Sequence, residues 1–143
     1  MKCKVFIDPA CEESVLIYAR ERTPLVEKLE ALVTSESALL MGYTDGEILP
    51  LSPDEIFGLT VEDGRVIALT ARGRLRLRER LYVLEERLGE DFLRINQSCL
   101  VRISAIERFH ASVGGALRVT LKNGFCDYIS RRQLRHVKER MGL

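Results

Sequence analysis

The chain has no tryptophan, two histidines, four prolines and four cysteines in 143 residues. His110 and His136 are too few for the common acid–base and metal schemes, and neither lies in an HExxH pattern. Cys3, Cys11, Cys99 and Cys126 form no CxxC pair. A zinc site would show close pairs, and disulfide frameworks belong to small exported chains, so reduced structural thiols and no metal are expected. Cys99 beside Leu100-Val101 and Cys126 beside Phe125 read as core positions rather than nucleophiles. A Gly-rich phosphate loop and a GxSxG elbow are both missing. The expectation is a protein that is not an enzyme, with no cofactor and no small-molecule substrate. No apolar run approaches the roughly 18 residues of a membrane span, and the start MKCKVFIDPACEES is too polar for a secretion signal. The expected address is cytoplasmic.

What the chain does have is hydrophobic residues at 46%, enough for a core, and charge distributed unevenly. Residues 1–63 carry five basic and thirteen acidic side chains, whereas residues 64–143 carry seventeen basic and eight acidic. A net of −8 against +9 points to the second half as the surface that could meet phosphates, although charged faces also arise simply to solvate a fold.

Hydropathy alternates with a period of two in Lys4–Asp8 and Glu13–Arg22, which predicts two strands. Thr23-Pro24 then opens a helix over Pro24–Ser35, with Leu25, Leu29 and Leu32 on one stripe. After Ser37 short alternating runs recur between the turn pairs Asp45-Gly46, Asp63-Gly64, Gly114-Gly115 and Asn123-Gly124, which tolerate the backbone of tight hairpins. Strands are predicted at Leu39–Thr44, Glu47–Leu51, Ile56–Glu62, Arg65–Thr70, Arg74–Leu77, Phe92–Ile95, Ile106–His110, Leu117–Lys122 and Cys126–Ile129. Helices are predicted at Arg80–Leu88 and Arg131–Met141. The fold class is α+β, mainly β. A small ββα N-terminal segment, residues 1–50, precedes a β-rich domain of residues 51–143. The helices stand isolated among strands, which excludes a helix-turn-helix. Any DNA contact must come from loops and strand ends.

Two segments carry the functional argument. In Phe92–Phe109 a strand runs into Asn96-Gln97-Ser98. Asn and Gln amides can bond two edge groups of adenine, and Ser can serve a base or a phosphate, but the same residues also make ordinary turns and caps. In Leu121–Met141 a turn at Asn123-Gly124 leads through a strand to Ser130, then Arg131 and Arg132. Cations beside a helix N-terminus are disfavoured by its dipole unless an anion or acceptor lies near. A phosphate or guanine edge would satisfy them, as would local acids such as Asp127.

Together these segments resemble the LytTR family of DNA-binding domains, through Arg94, Ser98, Leu100, Val101 and Ile106 in order and then Asn123-Gly124 and Ser130-Arg131-Arg132. The block from Asp54-Glu55-Ile56 through Arg80–Leu88 is similar to the family's first half, so the resemblance covers roughly residues 52–143. It implies an elongated β-fold that inserts loops into successive major grooves of double-stranded DNA at promoter repeats, acting as a transcription regulator. The base-reading positions it implies are Gly64-Arg65, Asn96-Gln97 and Arg132. Backbone contacts are implied for Ser98, Arg131, Lys122 and Asn123. The sequence departs from the family pattern at Asn96, where His is common, and at Arg102, where Asn is common. The acidic N-terminal part does not resemble a receiver domain. It is similar to the prefix of stand-alone regulators, which implies a small membrane protein as restraining partner. The apolar helix Pro24–Ser35, on a segment too small for its own core, points to homodimerisation or that control as the role of residues 1–50.

The alternative is a β-rich adaptor for a protein or an anionic ligand, with Arg74, Arg76, Arg78 and Arg80 as its contact stripe. Alternating Arg and Leu there puts leucines on one face of a strand and arginines on the other, which any half-exposed strand also does.

Overall fold

The computed structural model describes residues 2–143, with the backbone alone described for residues 34–38. It divides into two units between Ser37 and Ala38. In the first, helix α1 spans Pro24–Ala38. Proline at the first helical position loses no bond, since that N–H has no helical acceptor. Thr23 caps the end, its Oγ1 accepting from the Val26 N–H at 3.3 Å. Arg22 pairs with Glu27 and Glu30 of the same helix.

The strands predicted at Lys4–Asp8 and Glu13–Arg22 are not formed, and among the described residues no strand precedes Leu40. Alternation qualifies a segment for a sheet, but a strand exists only where a second backbone supplies hydrogen bonds. Among the described residues this segment has none. It does form a turn at Asp8–Cys11, where the Cys11 N–H donates to the Asp8 carbonyl at 3.2 Å. The expected ββα prefix is therefore one helix preceded by irregular chain.

The second unit contains β1 (Leu40–Thr44), β2 (Glu47–Leu51), β3 (Ile56–Glu62), β4 (Arg65–Thr70) and β5 (Gly73–Leu77), followed by α2 (Leu81–Leu88). Then come β6 (Phe92–Asn96), β7 (Cys99–Arg102), β8 (Ile106–Ala111), β9 (Leu117–Leu121), β10 (Cys126–Tyr128) and α3 (Arg131–Met141). Seven strands form one sheet in the order β2-β1-β5-β4-β3-β7-β6, and three form another in the order β10-β9-β8. All pairings are antiparallel. The β3–β4 turn has φ of 50° at Asp63 and 74° at Gly64, the left-handed pair that a two-residue hairpin demands.

Two differences from the sequence reading concern this sheet. The β1–β2 hairpin, expected within the N-terminal segment, pairs with β5 through Tyr43 opposite Arg76 and sends Leu40 and Leu51 into the core beside Leu75. It belongs to the sheet. Strand β7 was not expected, because Cys99, Leu100 and Val101 are all buried and so show no alternation. Leu100 faces one apolar cluster while Cys99 and Val101 face the other, the pattern of a strand covered on both sides.

One cluster gathers Leu59, Ala68, Leu75 and Leu77 of the sheet against Leu81 and Leu84 of α2. The other gathers Leu93, Ile95, Cys99 and Val101 against Val119 and Leu121 of the small sheet and Val137 of α3. Each fully buried leucine contributes roughly 1.5–3 kcal/mol relative to exposure. Burial pushes the Cys99 thiol far above its ordinary range, helped by the nearby Asp127 charge. Cys126, expected in the core, is exposed, and so are Cys3 and Cys11. Cys126 sits on β10 at the edge of a three-stranded sheet with one face toward solvent. Among the described residues no three His, Cys, Asp or Glu side chains group to hold a metal. No helix among them is long and apolar enough to cross a membrane.

Candidate nucleic-acid interface

Strand register decides which of the expected contact residues can act together. In β3–β4 Glu62 lies opposite Arg65, so the Asp63-Gly64 turn closes that end of the pair. In β3–β7 Thr60 lies opposite Cys99, and the Val61 N–H donates to the Ser98 carbonyl at 2.8 Å. The Gln97-Ser98 turn between β6 and β7 therefore stands beside the Asp63-Gly64 turn, at the same end of the sheet. The start of α3 is tied there too, since the Ser130 N–H donates to the Ile95 carbonyl at 2.9 Å. Gly64-Arg65, Gln97-Ser98 and Arg131-Arg132 thus converge.

The rims of this end are held rigidly from below. Arg94 extends under the β6–β7 turn, its Nε donating to the Asn96 carbonyl at 2.7 Å and its Nη2 to the Gln97 carbonyl at 2.7 Å. Its third contact is Glu85 of α2 at 3.3 Å. Ser130 caps α3, its Oγ accepting from the Gln133 N–H at 3.3 Å. By contrast Arg65, Gln97, Arg131 and Arg132 are exposed, and their side chains make no hydrogen bond or ion pair with the described residues. Asp127, the local acid expected as a partner for Arg131 and Arg132, instead accepts from Asn96 and from the Tyr128 N–H.

Asn96 takes a different part from its neighbours. Its Nδ2 donates to the Asp127 carboxylate at 3.0 Å and to the Tyr128 carbonyl at 2.8 Å, while its Oδ1 accepts from the Ser98 N–H at 2.8 Å. Three bonds occupy the amide. These bonds join the β6–β7 turn to the end of β10, the local role of a polar turn residue. Arg102 is similarly occupied, with Nε on the Ile56 carbonyl at 2.7 Å and its guanidinium over the Phe57 ring.

Lys122 and Asn123 are not brought to this end. The Lys122 N–H donates to the carbonyl of Ala105, which follows the far end of β7. Asn123 lines a shallow hollow with Thr70 and Gly73, at the β4–β5 turn. Because β4 begins at Arg65 beside the Asp63-Gly64 turn, its end at Thr70 lies at the opposite margin of the sheet. The Asn123 side chain serves its own turn, Oδ1 accepting from the Phe125 N–H at 3.0 Å.

Arg94 is the supporting residue whose role the sequence conceals. Its hints are its place at the head of the family pattern and a charge in a strand otherwise apolar at Phe92, Leu93 and Ile95. The arginine stripe of β5 is partly committed within the fold. Arg74 pairs with Glu62, and the Arg78 guanidinium lies 4.3 Å from the centre of the Tyr43 ring.

A family model described as the LytTr DNA-binding domain matches residues 46–142. The chain belongs to the LytTR family of DNA-binding domains. HTH-type transcriptional regulators of Staphylococcus aureus strains MSSA476 and NCTC 8325 are each 32% identical over 146 residues, covering 100% of this chain and 99% of theirs. The fold is similar to that of the LytTr DNA-binding domain of a Bacillus cereus protein, with a TM-score of 0.70 at 16% identity. That match covers 74% of this chain and 98% of the other. The helix-turn-helix label of the relatives does not describe this LytTR chain, in which α2 and α3 are separated by five strands.

Proposed function

We propose that the protein is a transcription regulator that binds double-stranded DNA at specific sequences and reads the major groove with the converging end of its larger sheet. The observation that carries this reading is the meeting of Gly64-Arg65, Gln97-Ser98 and Arg131-Arg132, with unpaired side chains on rigid supports. In this reading Gln97 and Arg132 address base edges, because an amide suits adenine and a guanidinium suits the O6 and N7 of guanine. The Gly64-Arg65 turn is the third base-reading point, and Ser98 and Arg131 hold phosphates, which fix register without carrying sequence information. Asn96 and Arg94 position the turn and touch no DNA. The protein works in the cytoplasm as a homodimer on promoter repeats, without cofactor or catalytic activity. A small membrane protein fits as its restraint, through the N-terminal unit.

Titrating a preferred duplex and a scrambled one at rising salt tests the reading. Affinity for both is expected to fall steeply with salt, since bound phosphates release counterions, while the preference persists. Equal affinity for both duplexes at every salt concentration would refute sequence-specific binding.

A further inference from the structure

The first 33 residues carry apolar surface that they do not cover. Val15 is 61% exposed, Leu16 73% and Tyr18 91%, and Val5, Phe6 and Ile7 are more than three-quarters exposed. Both alternate faces of Glu13–Arg22 are apolar in part, with Val15, Ile17 and Ala19 on one and Leu16 and Tyr18 on the other. Such a run of alternating, partly β-branched and aromatic residues with unpaired backbone is suited to pair along its edge with a second strand. Helix α1 adds Leu25 at 48% and Leu32 at 63% exposure. A segment of this length cannot enclose its own core, and doubling it is the usual remedy.

We infer that residues 11–21 of two copies pair as antiparallel strands, with Leu16 opposite Leu16 of the second copy and Glu12 opposite its Arg20. Self-complementary charge favours a second copy as occupant. Residues 1–33 carry five basic and six acidic side chains, so two copies meet with almost no net repulsion. A strongly charged partner would find little to attract it. The charges also select the register. With Leu16 on the two-fold axis, Val15 faces Ile17, Ser14 faces Tyr18, Glu13 faces Ala19, and no like charges stand opposite one another. Moving the axis to Ile17 would set Glu13 against Glu21. Glu12 and Arg20 make no ion pair among the described residues, whereas Arg22 is already held by Glu27 and Glu30 and stays with its helix. The Asp8–Cys11 turn reverses the chain, so Lys4–Asp8 can add outside each central strand. Four strands then form where a two-stranded ribbon would be marginal.

The inference rests on the homodimer in the reading above and supplies its interface. Sedimentation equilibrium of the full chain without DNA tests it, comparing the unmodified protein with E12R, R20E and the double swap E12R/R20E. Glu12 and Arg20 are both exposed, and circular dichroism is expected to show the same fold in each protein. The unmodified chain should be a dimer. Each single swap should weaken it roughly tenfold, by turning two symmetry-related attractions into repulsions, and the double swap should restore it. A monomeric unmodified chain, single swaps without effect, or a double swap as weak as either single one would overturn the inference. Duplex binding of the same samples separates the two readings. A monomer that binds its preferred sequence overturns the strand pairing and the homodimer but not the sequence-specific regulator, and a dimer that ignores DNA sequence overturns only the regulator.

Discussion

The side-chain amide of Asn96 donates to the Asp127 carboxylate at 3.0 Å, across 31 positions of sequence. With its bonds to Tyr128 and Ser98 it fastens the β6–β7 turn to the segment that leads into α3. Two of the three proposed contact points are thereby held in one frame. Asn96→Ala removes three hydrogen bonds and leaves the Tyr128 carbonyl and the Ser98 N–H short of a partner. It is expected to cost about 1–3 kcal/mol of stability in urea unfolding. Unchanged stability with altered base preference would instead make Asn96 a reader.

Arg132→Ala should weaken binding to the preferred duplex by roughly 1–3 kcal/mol and relax the preference at a single base pair. Gln97→Ala should act in the same way at a different position. Binding isotherms on single-base variants of the duplex measure both. Equal losses on preferred and scrambled DNA would reassign these side chains to phosphates.

Arg131→Ala should lower affinity across all sequences and reduce the salt slope by about 1, the mark of a lost phosphate contact. Lys122→Ala, at the opposite margin of the sheet, should leave the slope unchanged. Measuring log affinity against log salt for the two variants compares them directly. A reduced slope in Lys122→Ala would mean that DNA reaches the β9–β10 turn.

Thiol reactivity checks the packing on which this geometry stands. Burial raises the Cys99 thiol well above its ordinary value, so its reactive thiolate is suppressed at neutral and mildly alkaline pH. Titration with a thiol reagent should modify Cys3, Cys11 and Cys126 in the native protein and Cys99 only after unfolding. Four fast thiols in the native state would contradict the buried placement of β7.

How far the sequence disclosed this arrangement depended on the physical signal at each point. Hairpins announced themselves, since Asp63-Gly64 and Asn123-Gly124 mark turns by local backbone preference. Strand β7 did not, because burial on both faces erases alternation. Lys4–Asp8 and Glu13–Arg22 erred the other way, showing the period of a strand where no partner strand is found among the described residues. Residue types alone nominated Asn96, Lys122 and Asn123 beside Arg132 and Gln97. Only register and hydrogen bonding divided them. Asn96 is tied into the scaffold, Lys122 and Asn123 lie at the far margin, and Gln97 and Arg132 keep their side chains unpaired.

Selection of bound sequences from a pool of random duplexes tests the central claim most directly. The account predicts an enriched motif whose information falls at separate positions, one lost in Gln97→Ala and another in Arg132→Ala. Recovery of no motif, or of the same motif from both variants and the unmodified protein, would contradict it.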